Sequence, residues 1–224
     1  MPQRPSVIVF DVNETLSDMS PLAERCAELG VPGSMAKQWF AELLRDGFAL
    51  TVVGASEKFS VVADGVLRTL LAPHELDRDL DGAVQHVMGG FSALPVHPDV
   101  PDGVRALREL GLRLVTLSNG SSAVAEQLFE HAGLRDSFAS LLSVEDAGAW
   151  KPDPKSYAYA ATTCGVTTAE MLLVAVHPWD IDGASRAGMS TAWVSRAGSD
   201  YPTHFRPPTY TVRALPELAA LLKG

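Results

Sequence analysis

Four short β-rich runs, each ending in a polar cluster, constrain this chain more than any other feature. Val7-Ile8-Val9-Phe10 runs into Asp11 and then Val12-Asn13-Glu14-Thr15. Leu112 to Leu117 ends in Ser118-Asn119-Gly120, and Leu172 to Val176 ends in His177-Pro178-Trp179-Asp180. Thr191 to Ser195 is the fourth, and Tyr210-Thr211-Val212 is a shorter last one. The first run is wholly apolar, the pattern of a strand buried on both faces of a parallel sheet. Helical stretches separate the runs. Val104 to Leu110 is stopped by Gly111, and a helix capped by Ser121 ends at Gly133. Another runs from about Asp180 to Ala187 before Gly188, and Leu215 to Lys223 closes the chain. Strands alternating with helices predict an α/β core with a parallel sheet, and ligands bind such sheets at the carboxyl ends of the strands.

The stretch from about Ser17 to Val96 follows a different rule. Met35, Trp39, Phe40, Leu43, Leu44 and Phe48 recur at helical spacing, as do Val61, Val62, Val66, Leu67 and Leu70. Pro95, Pro98 and Pro101 read as a stiff connector back to the core. The expected organisation is a Rossmann-like core of residues 1–16 and 97–224, with an inserted helical cap domain of residues 17–96. A cap above the strand ends would close over whatever binds there.

Composition narrows the partners. With 18 Lys and Arg against 27 Asp and Glu, the net charge is −9, and no block of basic residues interrupts it. Nucleic acid and anionic membranes are poor partners for such a surface. An anionic substrate would need a local cationic pocket. Cys26 and Cys164 show no metal-binding spacing and suggest a reducing, cytoplasmic setting. The first apolar run is too short for a signal segment, and no run approaches a membrane span. His74, His86, His97, His131 and His204 show no ligand spacing and receive no role.

The chemistry-bearing clusters are Asp11, Ser118-Asn119, Lys151 in a loop before a helix, and His177 with Asp180. Their sequence contexts carry a resemblance. Asp11-Val12-Asn13-Glu14-Thr15-Leu16, Ser118-Asn119-Gly120, Lys151-Pro152-Asp153-Pro154 and Trp179-Asp180-Ile181-Asp182-Gly183-Ala184 are similar, in order and in element, to the four motifs of the haloacid dehalogenase superfamily. The helical insert resembles its α-helical cap, so the likeness covers nearly the whole chain.

Membership alone does not name a reaction. The superfamily's phosphatases carry a second Asp two residues after the nucleophile, where this chain has Asn13, which cannot exchange a proton near neutral pH. They also bind magnesium through an acid early in the fourth motif, which falls here at Val176. Asp182 is a conceivable substitute, but it is expected inside the helix. The chain resembles instead the L-2-haloacid dehalogenase branch, which needs no metal and no cofactor.

That resemblance implies hydrolysis of a short 2-haloalkanoate with inversion at C2, by way of an ester on Asp11. It implies that Lys151 keeps Asp11 ionised, and that Arg45, in Glu42-Leu43-Leu44-Arg45, takes the halide or orients the substrate carboxylate. Asn119 would donate to the halide. Ser118 and the backbone N–H groups after Asp11, beginning with Val12, would bind the carboxylate. Thr15 and Tyr157 would shape the site around Asp11 and Lys151, and Phe59 and Trp179 would wall the carbon skeleton. Two positions depart from the branch. Ala175 and His177 stand where it has Ser and Asn, so His177 with Asp180 is expected to position or activate the hydrolytic water. A magnesium-dependent phosphatase and a non-catalytic small-anion binder are the alternatives. A homodimer through the cap helices fits the habit of related enzymes.

Overall fold

The computed structural model describes residues 4–223. Strand β1 (Val7–Phe10) is followed by four helices, α1 (Leu22–Ala27), α2 (Met35–Val52), α3 (Phe59–Leu71) and α4 (Leu80–Ser92). The chain then alternates through α5 (Val100–Glu109), β2 (Arg113–Ser118), α6 (Ser122–His131), β3 (Ser140–Ser143), α7 (Val144–Ala147) and α8 (Pro154–Cys164). It ends with β4 (Met171–Ala175), α9 (Pro178–Arg186), β5 (Ser190–Val194), β6 (Tyr210–Val212) and α10 (Leu215–Lys223). The strands form one parallel sheet in the order β3-β2-β1-β4-β5-β6. This is the expected α/β architecture with helices inserted after the first strand.

Register explains why the polar clusters meet. Phe10 pairs with Thr116 on one side and Val174 on the other, so β1, β4 and β2 finish within two residues of one another. Asp11 therefore emerges in the middle of the sheet edge, beside Ser118 and above Ala175. The inner strands are buried on both faces. Ile8, Phe10, Leu114 and Val174 pack with α5, α6 and α10, while Val9, Val115, Leu173 and Ala175 share a second cluster with α8, α9 and all four inserted helices. The inserted helices thus continue one of the two core layers instead of having a core of their own.

Both connections to the insert pass through one narrow crossing. Ser17 and Val96 form an isolated antiparallel bridge, Asp18 N–H donates to Pro95 (2.8 Å) and His97 N–H to Leu16 (2.9 Å). Helix α2 buries Met35, Ala36, Trp39, Phe40, Leu43, Leu44 and Gly47, an apolar stripe at three- and four-residue spacing. Glycine inside a helix costs about 1 kcal/mol relative to alanine. At Gly47 the cause is steric, because a Cβ there would lie 2.3 Å from the Trp150 ring.

Some boundaries differ from expectation for identifiable reasons. Helix α5 begins at Val100 because Pro101 sits in its first turn, where a missing N–H costs nothing. Helix α9 begins at Pro178 on the same ground, which puts Asp180 in the first turn and makes His177 the N-cap residue. Strand β3 and helix α7 have no counterpart in the sequence reading. Ser-Leu-Leu-Ser offers only two apolar residues, too few for a period, and Ser143 Oγ caps the following turn through Glu145 N–H (3.1 Å). Among the described residues no helix is long and apolar enough to cross a membrane.

Candidate active site

A fully buried ammonium lies at the centre of the sheet edge. Lys151 Nζ is 2.9 Å from Asp11 Oδ1 and 2.7 Å from Asp180 Oδ2, and neither Lys151 nor Asp180 has any exposed surface (0%). Burying an isolated ion costs several kcal/mol, so this arrangement persists only because the charges are paired and their remaining lone pairs are filled. Thr15 Oγ1 donates to Asp11 Oδ2 (2.6 Å) and itself accepts from Val176 N–H (3.1 Å). Tyr157 Oη donates to Asp180 Oδ1 (2.7 Å).

The surroundings push the two carboxylates in opposite directions. Burial alone would raise the pKa of Asp11, but the Lys151 ammonium, then His177 and the Thr15 hydroxyl, outweigh it and hold Asp11 below the usual carboxylate range. At Asp180 burial wins against Lys151, helped by the charge of Asp11, and its pKa rises. Burial would lower Lys151, yet Asp11 and Asp180 together raise it. Tyr157 is pushed well up by burial and by Asp180, so it remains a proton donor. Two carboxylates set apart in this way are the usual sign of one nucleophile and one base.

Close approach of helix and loop makes the cluster possible. A Cβ on Gly183 of α9 would lie 2.6 Å from both Pro152 and the Tyr157 hydroxyl, so only glycine lets α9 bring Asp180 to Lys151. Asn119 clamps the lysine backbone, accepting from Lys151 N–H at 2.9 Å and donating to Lys151 O at 3.3 Å. The sequence reading gave that amide to the halide; one of its two Nδ2–H donors is used on Lys151 O, and the other is left for a ligand. Ser118 Oγ accepts from Gly120 N–H (2.9 Å), which leaves its proton free to donate. Among the described residues the N–H groups of Val12, Asn13 and Asn119 donate to no protein acceptor, while the Val12 side chain lies in the core.

The loop after Asp11 turns through Glu14, which has a left-handed backbone (φ +61°), a conformation that costs a non-glycine residue on the order of 1 kcal/mol. Three consecutive carbonyls hold it there. Asn13 O accepts from His177 Nε2 (3.1 Å), Glu14 O from His97 Nε2 (2.9 Å) and Thr15 O from Arg196 (2.7 Å). Arg196 is in turn paired with Asp99. His97 and Arg196 were missed by sequence reasoning. Nothing marks His97, but Arg196 follows the run Thr191 to Ser195, where the strand-end rule applies.

His177 Nε2 lies 3.7 Å from both Asp11 Oδ2 and Glu14 Oε2. Its ring stacks on Trp179 at 5.0 Å and faces Phe40 of α2 at 6.1 Å. Asp180 is engaged by Lys151 and Tyr157, and the carboxylates nearest His177 Nε2 are those of Asp11 and Glu14. His177 also borders a cavity of about 530 Å³ between cap and core, together with Lys37, Phe40, Trp193 and Arg196.

Arg45 requires a clear correction. Its guanidinium is 62% exposed and paired with Asp46 (2.8 Å) and Glu42 (3.5 Å) on the outer side of α2. At 100° per residue it lies about 200° around the helix from Gly47, so it cannot share the core-facing side. The cap residue that faces His177 is the aromatic Phe40. Trp179 does flank the site, with Lys151 Nζ 6.0 Å from its ring centre and Phe48 against it at 5.0 Å. Phe59 stacks on Trp150 (6.1 Å) and Phe91 (5.1 Å), one residue removed from the lysine.

The magnesium ion of the superfamily's phosphatases does not fit these residues. A hard cation needs several oxygen ligands. The gap between Asp11 and Asp180 is filled by an ammonium, and the second oxygen of Asp180 by Tyr157. Asp182 is engaged with Arg186 (2.7 Å) and Arg206 N–H (3.0 Å).

Known proteins resemble this chain over nearly its whole length. The (S)-2-haloacid dehalogenase of Pseudomonas sp. (strain YL) is 30% identical over 96% of this chain and 94% of its own. Haloacetate dehalogenase H-2 of Moraxella sp. (strain B) is 28% identical over 96% of both. The structure of L-2-haloacid dehalogenase from Xanthobacter autotrophicus with chloropropionic acid covalently bound superimposes with a TM-score of 0.85 at 27% identity, covering 98% of this chain and 99% of that one. The family model for haloacid dehalogenase-like hydrolases matches residues 5–188, and the chain belongs to that family.

Proposed function

We propose that this protein hydrolyses short (S)-2-haloalkanoic acids to 2-hydroxy acids through an ester on Asp11, without a metal. The observation that carries the reading is the buried Lys151 ammonium bridging Asp11 and Asp180 while their pKa values move apart. An ionised carboxylate needs no base to attack C2. The Asp11 oxygen forms the C–O bond as halide departs with the C–X electron pair. Water then adds at the Asp11 ester carbon and gives one proton to Asp180; the bond from that carbon to the C2 oxygen breaks, the departing oxygen takes the second proton of the added water, and the 2-hydroxy acid leaves with Asp11 again a carboxylate.

The substrate is a small anion, and its carboxylate is held by the Ser118 hydroxyl and the free N–H groups of Val12, Asn13 and Asn119. His177 positions the water. Its Nε2 carries the proton given to Asn13 O, so a donor and not a bare nitrogen faces Asp11. Residues 17–96 act as a cap over a core of 1–16 and 97–224, a division supported by the Ser17–Val96 crossing. Self-association through the cap is part of the same reading. Val52, Val53 and Val61 expose 85%, 76% and 54% of their surface there, and light scattering of Val53→Asp tests it. A reducing, cytoplasmic setting fits the free thiols Cys26 and Cys164.

Halide release from L- and D-2-chloropropionate in EDTA, with wild type and Asp11→Asn, tests the function. Release from the L-enantiomer by wild type alone is expected. Release from neither enantiomer, or equal release by the mutant, overturns the proposal.

A further inference from the structure

Lys151 is held from two sides, and one of them belongs to the cap. Its backbone is clamped by Asn119 of the core. The preceding residue, Trp150, is fully buried and is gripped by the insert. Trp150 N–H donates to Thr51 Oγ1 (3.1 Å), and its indole Nε1–H donates to Glu57 O (3.1 Å). Phe59 stacks on the indole at 13° between planes, and Gly47 lies directly against it. A methyl group at Gly47 would come within 2.3, 2.5 and 2.7 Å of three ring carbons, so the indole would have to move.

We propose that Trp150 is a positioning residue through which cap helix α2, at Gly47 and Thr51, sets where the Lys151 ammonium sits between Asp11 and Asp180. Trp150 donates its backbone N–H and its indole N–H to the inserted helices, while its backbone carbonyl accepts from Asp153 N–H (3.0 Å) at the start of α8. The loop carrying the lysine is therefore a shared part of cap and core. Seating of the cap does more than exclude water, because it fixes the placement of the central cation. Placement at this level matters, since displacement by about 1 Å from a distant mutation costs on the order of 100-fold in rate. The catalytic consequence rests on the proposed dehalogenation; the placement itself does not.

The test uses the full chain labelled with [13Cε]-lysine. Five lysines are present, and the Lys151 resonance is identified by its loss in Lys151→Met. Gly47→Ala displaces the indole, and Trp150→Phe keeps the stack but removes the bond to Glu57. Val84→Ala opens a cavity under α4, among residues that the Trp150 contacts do not include, and serves as the control for general loosening. Both test variants are expected to shift the Lys151 resonance, and the control to leave it in place. With 2-chloropropionate, Gly47→Ala is expected to lower kcat by about 10-fold to 100-fold with little change in KM.

The acid limb of kcat/KM should also move to higher pH, because a displaced ammonium no longer opposes protonation of Asp11. Lys151, His177 and the Thr15 hydroxyl face Asp11, with Asp180, Tyr157 and Glu14 behind them, and only Lys151 is moved. A control that lowers thermal stability without moving resonance or limb separates positioning from mere folding. An unmoved Lys151 resonance in both variants overturns the proposal, as does an equal shift in Val84→Ala. If the resonance moves but wild type releases no halide, the positioning stands and the proposed reaction falls.

Discussion

The sheet edge and the cap face above it supply different things. At the sheet edge the central charges are buried and paired, with Lys151 between Asp11 and Asp180. The face of α2 turned toward it offers Phe40, Gly47, Phe48 and Thr51, with no charge among them. The paired arginines of the cap helices, Arg45 and Arg68, point outward into surface ion pairs. On the proposed reading chemistry resides in the core, and the inserted helices contribute enclosure and placement. The donors left for an anion in a chain of net charge −9 are the free N–H groups of Val12, Asn13 and Asn119 and the Ser118 hydroxyl, because Lys151 is already shared by two carboxylates, while Lys37 of α2 and Arg196 line the cavity that His177 borders.

Mutations can break or sharpen this contrast. The largest effect is expected from Lys151→Met, with kcat falling about 1000-fold and stability by roughly 3–5 kcal/mol, since two buried carboxylates lose their partner. The pH dependence follows in sign. In wild type Asp11 is held below the usual carboxylate range, so activity persists above that lowered pKa and is lost as pH falls through it. Without the ammonium, burial acts unopposed and the acid limb moves upward. A pH–rate profile from pH 3 to 9 checks both direction and size.

His177→Ala should slow turnover by about 10-fold to 100-fold and let the Asp11 ester accumulate, while His177→Asn, which keeps a donor, should lose less. Mass spectrometry of the acid-quenched protein reads the ester. Tyr157→Phe removes the donor to Asp180, with a cost of about 1.5–3 kcal/mol in the chemical step, visible in kcat. The smallest effect belongs to Arg45→Ala, which should leave both kcat and KM within about twofold and stability within about 0.5 kcal/mol. A rise in KM there would return a cation to the cap side of the site.

The same contrast decides what could be read from sequence. Asp11, Ser118, Asn119 and Asp180 lie at or near strand ends of a parallel sheet, where topology dictates direction, and they meet as expected. Side chains on the cap obey the docking of a helix, which motif spacing does not describe. The buried stripe Met35, Trp39, Phe40, Leu43, Leu44 and Gly47 excludes Arg45, whereas the stripe read from sequence ended at Phe48, three residues from Arg45 on a neighbouring part of the helix surface, and did not. The role of Asn119 and the pairing of His177 with Glu14 were not legible, because each depends on which neighbour reaches an atom first. Trp150 stood unremarked beside a recognised lysine. Its contacts come from residues 47, 51, 57 and 59, and only the packed structure brings those together.

The covalent role of Asp11 is most directly tested by turnover of L-2-chloropropionate in H2(18)O, followed by mass spectrometry of the Asp11 peptide. Water attacking the ester carbon leaves 18O in the Asp11 carboxylate, and the product of the first turnover carries none. Label found in the first-turnover 2-hydroxy acid, with Asp11 unlabelled, would mean that water attacks C2 directly and that Asp11 is not the nucleophile.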